Sequence, residues 1–208
     1  MSQGYKTVLA DYAEDSFIEK KSEFIGYCAP VKTEEEAVAF VNSIKKKHSD
    51  ARHNVYAYVL REGFAQRFSD DGEPHGTAGM PVLDSIRKAD LTDVAVVVTR
   101  YFGGILLGTG GLVRAYTAAA TGAIKDAGVA EVGDFAILEI KANYSDYQKI
   151  MPLISAVNAK IEDSDFGTDV IMKIMVRDEQ ADGFMANLIE TTNGRVAATK
   201  VGQKSDFI

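Results

Sequence analysis

The sequence predicts an α+β protein of two domains, and three observations support this fold class. Apolar residues recur at helical spacing in some segments and at strand spacing in others. The stretch after residue 132 follows a β-α-β-β-α-β order, which is the split-βαβ or ferredoxin-like arrangement. At about 150 residues per domain, a chain of 208 residues fits one large domain or two small ones. We therefore predict an N-terminal domain over 1–132 and a C-terminal ferredoxin-like domain over 133–208.

The first half is predicted to combine strands with amphipathic helices. A strand over 24–31 stops at Pro30. Thr33 and Glu36 then have the spacing of a capping box, which predicts a helix over 34–47. The other predicted elements of this half are strands over 54–60, 64–68 and 94–99, a helix capped by Thr77, and a helix from Leu112 that ends near Gly128.

The second half has a regular alternation of elements. A strand over 135–142 precedes a helix that Ser145 and Gln148 open with a second capping-box spacing. Pro152 falls inside this helix, so we expect either a kink or a later start. The remaining predictions are strands over 159–166 and 169–176, a helix over 181–192 closed by Asn193 and Gly194, and a strand over 195–201.

Composition and charge exclude several classes of protein. With 46% hydrophobic and 25% charged residues, the chain is typical of globular domains rather than disordered or fibrous ones. Cys28 is the single cysteine, which excludes an internal disulfide and a multi-cysteine zinc site. No apolar run is long enough to cross a bilayer, and the first residues lack a signal-peptide pattern. The net charge of -7 opposes indiscriminate binding to DNA or to anionic membranes. We therefore expect a cytoplasmic monomer with no membrane association and no cofactor.

The strongest candidate for a ligand site lies between the 94–99 strand and the helix that follows it. Glycines concentrate between Gly103 and Gly111, where they let the backbone approach a ligand, and a helix start offers unpaired N–H groups to an anion. Six of the eight arginines lie between Arg52 and Arg114, and arginine suits bidentate phosphate recognition. Alternatively, these glycines only allow tight turns and close packing of the helix on the sheet. The candidate phosphate- or nucleic-acid-binding residues are Arg52, His53, Arg67, Arg100, Tyr101, Gly103, Gly104, Gly108, Thr109, Gly110, Gly111 and Arg114.

An acidic, turn-rich segment is a second and weaker candidate. Asp70, Asp71 and Glu73 have oxygen ligands for a hard cation and could also serve in general acid–base catalysis. The Asp-Gly-Glu-Pro sequence equally indicates a turn in which aspartate side chains bond to local backbone. His53 and His75 flank the segment, but no tight metal-binding spacing joins them. We therefore predict no metal site and treat the three carboxylates as weak candidates.

Several motifs together resemble the YigZ/IMPACT family. They are Arg52-His53-Asn54-x-Tyr56-Ala57, Ser69-Asp70-Asp71-Gly72-Glu73-Pro74 with Gly76-Thr77-Ala78-Gly79-x-Pro81, and the Val96–Tyr116 block with Arg100-Tyr101-Phe102-Gly103-Gly104 and Leu107-Gly108-Thr109-Gly110-Gly111. The resemblance covers essentially the whole chain and is to the bacterial, YigZ-type members of two domains. It implies a first domain folded like the second domain of a small-subunit ribosomal protein, and a second domain similar to the last domain of elongation factor G. The chain departs from the family pattern at Val55, where many relatives have cysteine, and at Met80, where some have a basic residue.

The resemblance also implies a role in translation. Eukaryotic relatives resemble regulators of translation under amino-acid starvation, which act through a protein partner. Our leading hypothesis is a translation-associated regulator, more a binding protein than an enzyme, that binds RNA or the ribosome through the arginine- and glycine-rich groove. One alternative is an enzyme acting on a phosphorylated small molecule or nucleotide in the same groove. The other is a protein-interaction module without a groove ligand, because fold alone does not define function.

Overall fold

The structure, a computed structural model, describes residues 4–207. It contains α-helices and antiparallel β-sheets, which confirms the predicted α+β class. The chain divides into two compact units, one over Tyr5–Glu131 and one from Val132 onward. Each unit has its own cluster of buried apolar side chains.

The N-terminal unit is built on a five-stranded antiparallel sheet. The strands of this sheet are β2 (Ala13–Glu19), β3 (Ser22–Pro30), β4 (His53–Val59), β5 (Gln66–Ser69) and β6 (Val94–Tyr101), and β1 (Tyr5–Val8) lies outside it. The helices of the unit are α1 (Glu34–Lys47), α2 (Gly79–Lys88) and α3 (Thr109–Ala127). The sheet has the strand order β2-β3-β6-β4-β5, and each neighbouring pair is antiparallel. β6 is central, and its continuous apolar run is buried because helices cover both faces of the sheet.

The two faces of this sheet carry different helices. Successive residues of a strand point to opposite faces. Val96 and Val98 of β6 therefore pack in one cluster with α2 and α3, whereas Ala95 and Val97 pack in clusters with α1. We call these the α2/α3 face and the α1 face. This alternation decides which side chains at the end of β6 reach the candidate site.

Several local predictions in the N-terminal unit are confirmed. The predicted helix over 34–47 is observed with these bounds, and the Thr33 side chain caps it by accepting a hydrogen bond from the backbone N–H of Glu36. Cys28 is fully buried in β3, and burial raises the pKa of its thiol to about 12. This thiol is therefore protonated and inaccessible at neutral pH.

The prediction of a strand over 64–68 is wrong at its start. Glu62–Phe64 form a single 3-10 turn in which Phe64 has a φ of +52°, so β5 begins only at Gln66. The sequence pattern does not predict β1 or β2 at all. β2 alternates mostly exposed and half-buried residues, so its apolar signal is weak.

The predicted cap of α2 is also wrong. The Thr77 hydroxyl donates to the carbonyl oxygen of Pro74 instead of accepting from the helix. The Asp70 carboxylate accepts from the backbone N–H groups of Ala78 and Gly79, which are the first amides of α2. The cap therefore comes from a residue eight positions upstream, which a local capping pattern does not detect.

The second unit has the ferredoxin-like arrangement that the sequence predicts. Its elements are β7 (Val129–Ala142), α4 (Tyr144–Ala156), β8 (Lys160–Phe166), β9 (Val170–Arg177), α5 (Asp178–Thr191) and β10 (Ala198–Phe207). Antiparallel pairing gives the spatial order β10-β7-β9-β8. Both helices contribute to one buried cluster with the inward residues of β7 and β9, which include Leu138 and Ile174.

Three predictions in this unit need correction. Ser145 does not open α4, because Asn143 is the capping residue and its side chain accepts from the backbone N–H of Asp146. The helix begins at Tyr144 and continues through Pro152, so the later start is not observed. The last strand lies at 198–207 rather than 195–201. Within residues 4–207, no helix combines the length and the apolar character that a membrane crossing requires.

Candidate functional site

A cavity of about 440 Å³ lies in the N-terminal unit where β4 and β6 meet the start of α3. The turn that follows β5 and the loop that leads from β6 to α3 complete its wall. Its lining residues are Arg52, His53, Gly72, Glu73, Pro74, Arg100, Phe102, Leu106, Leu107, Gly108, Thr109 and Leu112. Five of the predicted phosphate- or nucleic-acid-binding residues are in this set, Arg52, His53, Arg100, Gly108 and Thr109, together with the weak candidate Glu73.

Strand register explains why His53 and Arg100 meet in this cavity. Arg100 of β6 pairs directly with His53 of β4 on one side and with Phe24 of β3 on the other. Residues opposite one another in neighbouring strands share a face of the sheet. Phe24 belongs to the cluster that packs with α3, so all three side chains lie on the α2/α3 face. The pairing of β4 with β6 therefore places His53 and Arg100 side by side in the cavity.

Arg100 is held by a buried carboxylate. Its guanidinium donates to Oε1 of Glu73 at 2.6 Å, and both side chains are more than nine-tenths buried. The hydroxyl of Tyr116, in α3, donates to the same oxygen at 2.8 Å. Burial and then the negative charge of Glu73 raise the pKa of Tyr116, which keeps this phenol protonated. Glu73 thus compensates the charge of Arg100, whose Nε is buried without a hydrogen-bond partner among the described residues.

His53 has a fixed orientation. Its Nδ1 lies 2.8 Å from the carbonyl oxygen of Asp71. A carbonyl oxygen only accepts, so Nδ1 carries the hydrogen and, in the neutral ring, Nε2 carries the lone pair. Nε2 lies 3.9 Å from Oε1 of Glu73, too far for a hydrogen bond. Asp71 is anchored in turn, because its carboxylate accepts from Lys45 and from the backbone N–H of Asn54.

The start of α3 opens onto the cavity without a capping side chain. Gly108 is the N-cap residue, with a φ of +74° that favours glycine, and its carbonyl oxygen accepts from the N–H of Leu112. No side chain of the described residues caps this helix. The first amides of an α-helix lack partners within the helix, and the helix dipole is positive at this end. Gly108 and Thr109 therefore present an anion-binding terminus to the cavity.

Two exposed arginines lie near this terminus. Arg52 precedes β4 and lines the cavity, and Arg114 lies in the second turn of α3. Neither forms a salt bridge with a carboxylate within the described part of the chain. Arg114 is outside the set of lining residues, although one of its terminal nitrogens lies close to Gly110. Their charges are thus available to a ligand, unlike that of Arg100.

The glycines of the loop divide into two kinds. Gly103 is required by packing, because a Cβ there would overlap the backbone of Lys21 and Ser22. Its N–H donates to the hydroxyl of Ser22. Gly104 has a φ of +82° and open space around it, and Gly110 likewise has room for a neighbour. Gly111 lies against the side chain of Leu107. Tight turns and close packing therefore account for part of the glycine pattern.

Arg67 and Tyr101 do not join this group. Arg67 of β5 pairs with Tyr58, whose ring packs on the α1 face. Tyr101 is one residue after Arg100 and so points to the α1 face, where its hydroxyl donates to Asp50 and contacts His48. The structure thus places both residues on the side of the sheet opposite the cavity.

The three acidic candidates have separate structural partners. Asp70 caps α2, Asp71 anchors the turn beside His53, and Glu73 pairs with Arg100. Burial acts to raise the pKa of Asp70. Hydrogen bonds from three backbone N–H groups and the charge of His75 outweigh this effect, so the pKa lies below its ordinary value. Over residues 4–207, no group of three or more histidine, cysteine, aspartate or glutamate side chains is arranged to hold a metal ion.

Sequence reasoning missed the apolar wall of the cavity and Tyr116, a buried residue that hydrogen-bonds to Glu73 in the cavity floor. Leu106 is 82% exposed and Phe102 is 42% exposed, so both are accessible in the loop before α3. Tyr116 lies four residues after Leu112 on the buried stripe of α3. A tyrosine on a core-facing stripe needs a buried acceptor for its hydroxyl, and this signal could have indicated the link to Glu73.

Both parts of the chain match known family models. The Impact N-terminal domain matches residues 20–124, and a Domain of unknown function (DUF1949) matches residues 140–195. The protein IMPACT family member YvyE of Bacillus subtilis is 37% identical over 196 residues, which cover 94% of this chain and 90% of that protein. The chain belongs to the IMPACT family. Every residue that lines the cavity lies within residues 20–124, which we call the IMPACT domain.

Other IMPACT relatives agree with this assignment and confirm the resemblance found in the sequence motifs. IMPACT family member YigZ of Escherichia coli is 35% identical over 178 residues, covering 84% of this chain and 87% of that protein. Protein IMPACT-A of Xenopus tropicalis is 37% identical over 100 residues, which cover 45% of this chain and 31% of that protein. A solved structure described as a hypothetical protein has 31% identity and a TM-score of 0.62, and the match covers 97% of this chain and 99% of that one.

Proposed function

We propose that this protein acts in translation and that its IMPACT domain binds a phosphate-bearing nucleotide unit of an RNA in the cavity. The observation that carries the proposal is the uncapped start of α3, which opens onto the cavity beside Arg52. A helix N-terminus next to an arginine without an ion pair is a favourable place for a phosphate. The role in translation rests on family membership.

The phosphate-binding set differs from the four-arginine groove expected from the sequence. Arg52, Arg114 and the backbone N–H groups of Thr109 to Gly111 supply the positive charge and the donors. Arg100 shapes the floor instead, since Glu73 already compensates its charge. Arg67 lies on the α1 face and has no part in the proposal.

The size and lining of the cavity fit one nucleotide. Its volume of about 440 Å³ lies within the usual range for small-ligand sites, roughly 300–1,000 Å³. Phe102, Leu106 and Leu107 offer apolar surface to a base, while the start of α3 offers donors to its phosphate. Nucleobases commonly stack on aromatic side chains in single-stranded RNA recognition. The unit could belong to an RNA chain or be a free nucleotide, and the experiments below separate the two sources.

A fluorescence titration with a labelled, structured RNA tests the proposal. We expect Arg52→Ala to weaken binding roughly tenfold at low salt, because one charge-assisted hydrogen bond contributes about 1.5 kcal/mol. It should also reduce the slope of log K against log salt by about one. Arg114→Ala should act in the same direction.

Arg67→Ala is the matched control, since it removes the same charge from the opposite face of the sheet. The proposal predicts that Arg67→Ala leaves affinity and salt slope unchanged. Equal losses of RNA affinity in Arg52→Ala and Arg67→Ala would show nonspecific electrostatic attraction rather than a defined site. An RNA affinity that neither Arg52→Ala nor Arg114→Ala changes would contradict binding in the cavity.

The second arm uses a mononucleotide such as AMP. Thermal stabilisation that rises with AMP concentration and disappears in Arg52→Ala would favour a free nucleotide as the ligand. The polar floor of the cavity favours this enzymatic alternative, because a site for RNA phosphates alone has no need of a buried histidine and a buried glutamate. Competition of AMP with RNA would place both in the same cavity.

A further inference from the structure

His53 has features that binding alone does not explain. The residue is 9% exposed and lines the cavity, yet its Nε2 has no hydrogen-bond partner among the described residues. The opposite ring nitrogen is committed to the carbonyl oxygen of Asp71. A ring nitrogen that is left open toward a cavity, while the other nitrogen fixes the tautomer, is arranged to accept a proton from a ligand or from water.

The groups around His53 reinforce this arrangement. Glu73 faces Nε2 from the turn after β5, at 3.9 Å. Arg100 of β6 and Tyr116 of α3 both donate to the same oxygen of Glu73 and hold it in place. The carboxylate can therefore stabilise an imidazolium beside it without moving. Other charged groups around the ring are Arg52 in the cavity wall and Asp71 with its partner Lys45.

We propose that His53 is the general base of a phosphate-ester hydrolase in the IMPACT domain, acting on the nucleotide unit of the proposed function. Water donates a proton to Nε2 as its oxygen forms a bond to phosphorus. The bond between phosphorus and the ester oxygen breaks, and the proton returns from Nε2 to that leaving oxygen. One water is consumed, an alcohol and a phosphate are released, and His53 ends neutral. This inference rests on the proposed function, because it needs the phosphate at the start of α3.

The start of α3 and Arg52 have a second use in this reaction. Negative charge on the phosphoryl oxygens has to be stabilised as the new bond forms. Backbone N–H groups at a helix N-terminus and an arginine supply that stabilisation without reorganisation. Donors and base therefore lie on two walls of one cavity, with the donors at Gly108 and Thr109 and the base at His53.

The test measures hydrolysis by the full chain with two probes, a fluorophore-labelled oligoribonucleotide and AMP. Cleavage of the oligoribonucleotide indicates an RNA diester substrate, and release of phosphate from AMP indicates a free monoester. His53→Asn keeps a donor near the position of Nδ1 and removes Nε2. We expect it to lower the rate by about 100-fold or more while RNA affinity stays within about twofold.

The controls separate catalysis from structure. His75→Asn makes the same exchange at a fully exposed side chain and should leave the rate unchanged. His53→Gln also removes the imidazole base and should have the same defect as His53→Asn. Circular dichroism confirms that each variant is folded.

The failures of the two proposals are distinguishable. If the wild type binds RNA or AMP in the cavity but hydrolyses neither faster than His53→Asn does, the catalytic proposal is overturned and the binding proposal stands. If neither ligand binds, both are overturned. Hydrolysis that survives in His53→Asn would assign the activity to another residue or to a contaminating enzyme.

Discussion

Arg100 lies at the end of a central strand, where it is both buried and charged. Its guanidinium pairs with Glu73 and lies over the rings of Phe24 and Phe102, each 5.4 Å from the guanidinium carbon. Removing an ion from water costs several kcal/mol, which a partner of good geometry offsets. The pair therefore fixes the cavity floor, and it acts as a unit rather than as one free cation.

The buried pair predicts an asymmetric effect of mutation. Arg100→Met should lower the free energy of unfolding of the N-terminal unit by about 3–5 kcal/mol, because Glu73 is then buried without its cation. Arg67→Met at the exposed edge should change it by less than about 0.5 kcal/mol. Urea unfolding followed by circular dichroism measures both. Equally small changes in unfolding free energy for Arg100→Met and Arg67→Met would mean that Glu73 is solvated and that the cavity floor is not rigid.

At the scale of single residues, the sequence identifies the arginines and glycines of the candidate site. It does not show which arginines are neutralised by a carboxylate and which are available to a ligand. The motif around Arg100 predicts a site at a strand end, and the structure brings Arg52, Arg100 and Gly108 together around one cavity. The pairing with Glu73 joins residues 27 positions apart. Whether a guanidinium is neutralised depends on such long-range contacts, which spacing does not encode.

At the scale of elements, α1 is joined to the sheet through its last residues. His48, just after α1, contacts the hydroxyls of Tyr27 in β3 and Tyr101 in β6. Because Tyr101 donates to Asp50, Nδ1 of His48 has to donate to Tyr101, and Nε2 then accepts from Tyr27. This directed chain requires a neutral imidazole. These hydrogen bonds attach the end of α1 to strands β3 and β6.

The His48 chain predicts an acid-sensitive N-terminal unit. Burial and then the charge of Lys47 lower the pKa of His48 below its ordinary value of 6.5, against opposing effects of Glu14, Asp50 and Glu23. Between 6.5 and that lower value the unfolded chain binds more protons, so stability should fall as pH drops below about 6.5. His48→Gln should flatten this pH dependence in thermal melts. An unchanged pH dependence in His48→Gln would contradict the assignment.

Helix α4 gives a local prediction in the second unit. Asn143→Ala should destabilise that helix by about 1 kcal/mol, because the side chain caps the N–H of Asp146. Ser145→Ala, two residues later and exposed, is the control and should have little effect. Hydrogen exchange at the amides of α4 reports each change. A larger effect at Ser145 would restore the capping box that the sequence suggested.

The element order follows from the sequence more reliably than the ends of elements do. The β-α-β-β-α-β order of the second unit is encoded by periodicity over many residues, and averaging makes that signal strong. Helix caps depend on one side chain each, so Asn143 and Asp70 compete with neighbours of similar capping ability. Local patterns alone cannot decide that competition.

At the scale of the whole molecule, a chain of net negative charge contains a cavity with the exposed Arg52 in its wall. The chain has a net charge of -7, so nonspecific attraction to RNA is weak and affinity has to come from a defined site. The IMPACT domain contains that cavity, and the family match covers it in full. The predicted fold class and family are both confirmed.

The most direct measurement of the central claim is an NMR titration of ¹⁵N-labelled protein with a short RNA and, separately, with AMP. We predict that the largest amide shifts occur at Thr109, Gly110 and Gly111, and that Arg52→Ala suppresses them. Shifts centred on Arg67 in β5, or an unchanged start of α3 at saturating ligand, would contradict the claim that this helix terminus binds phosphate.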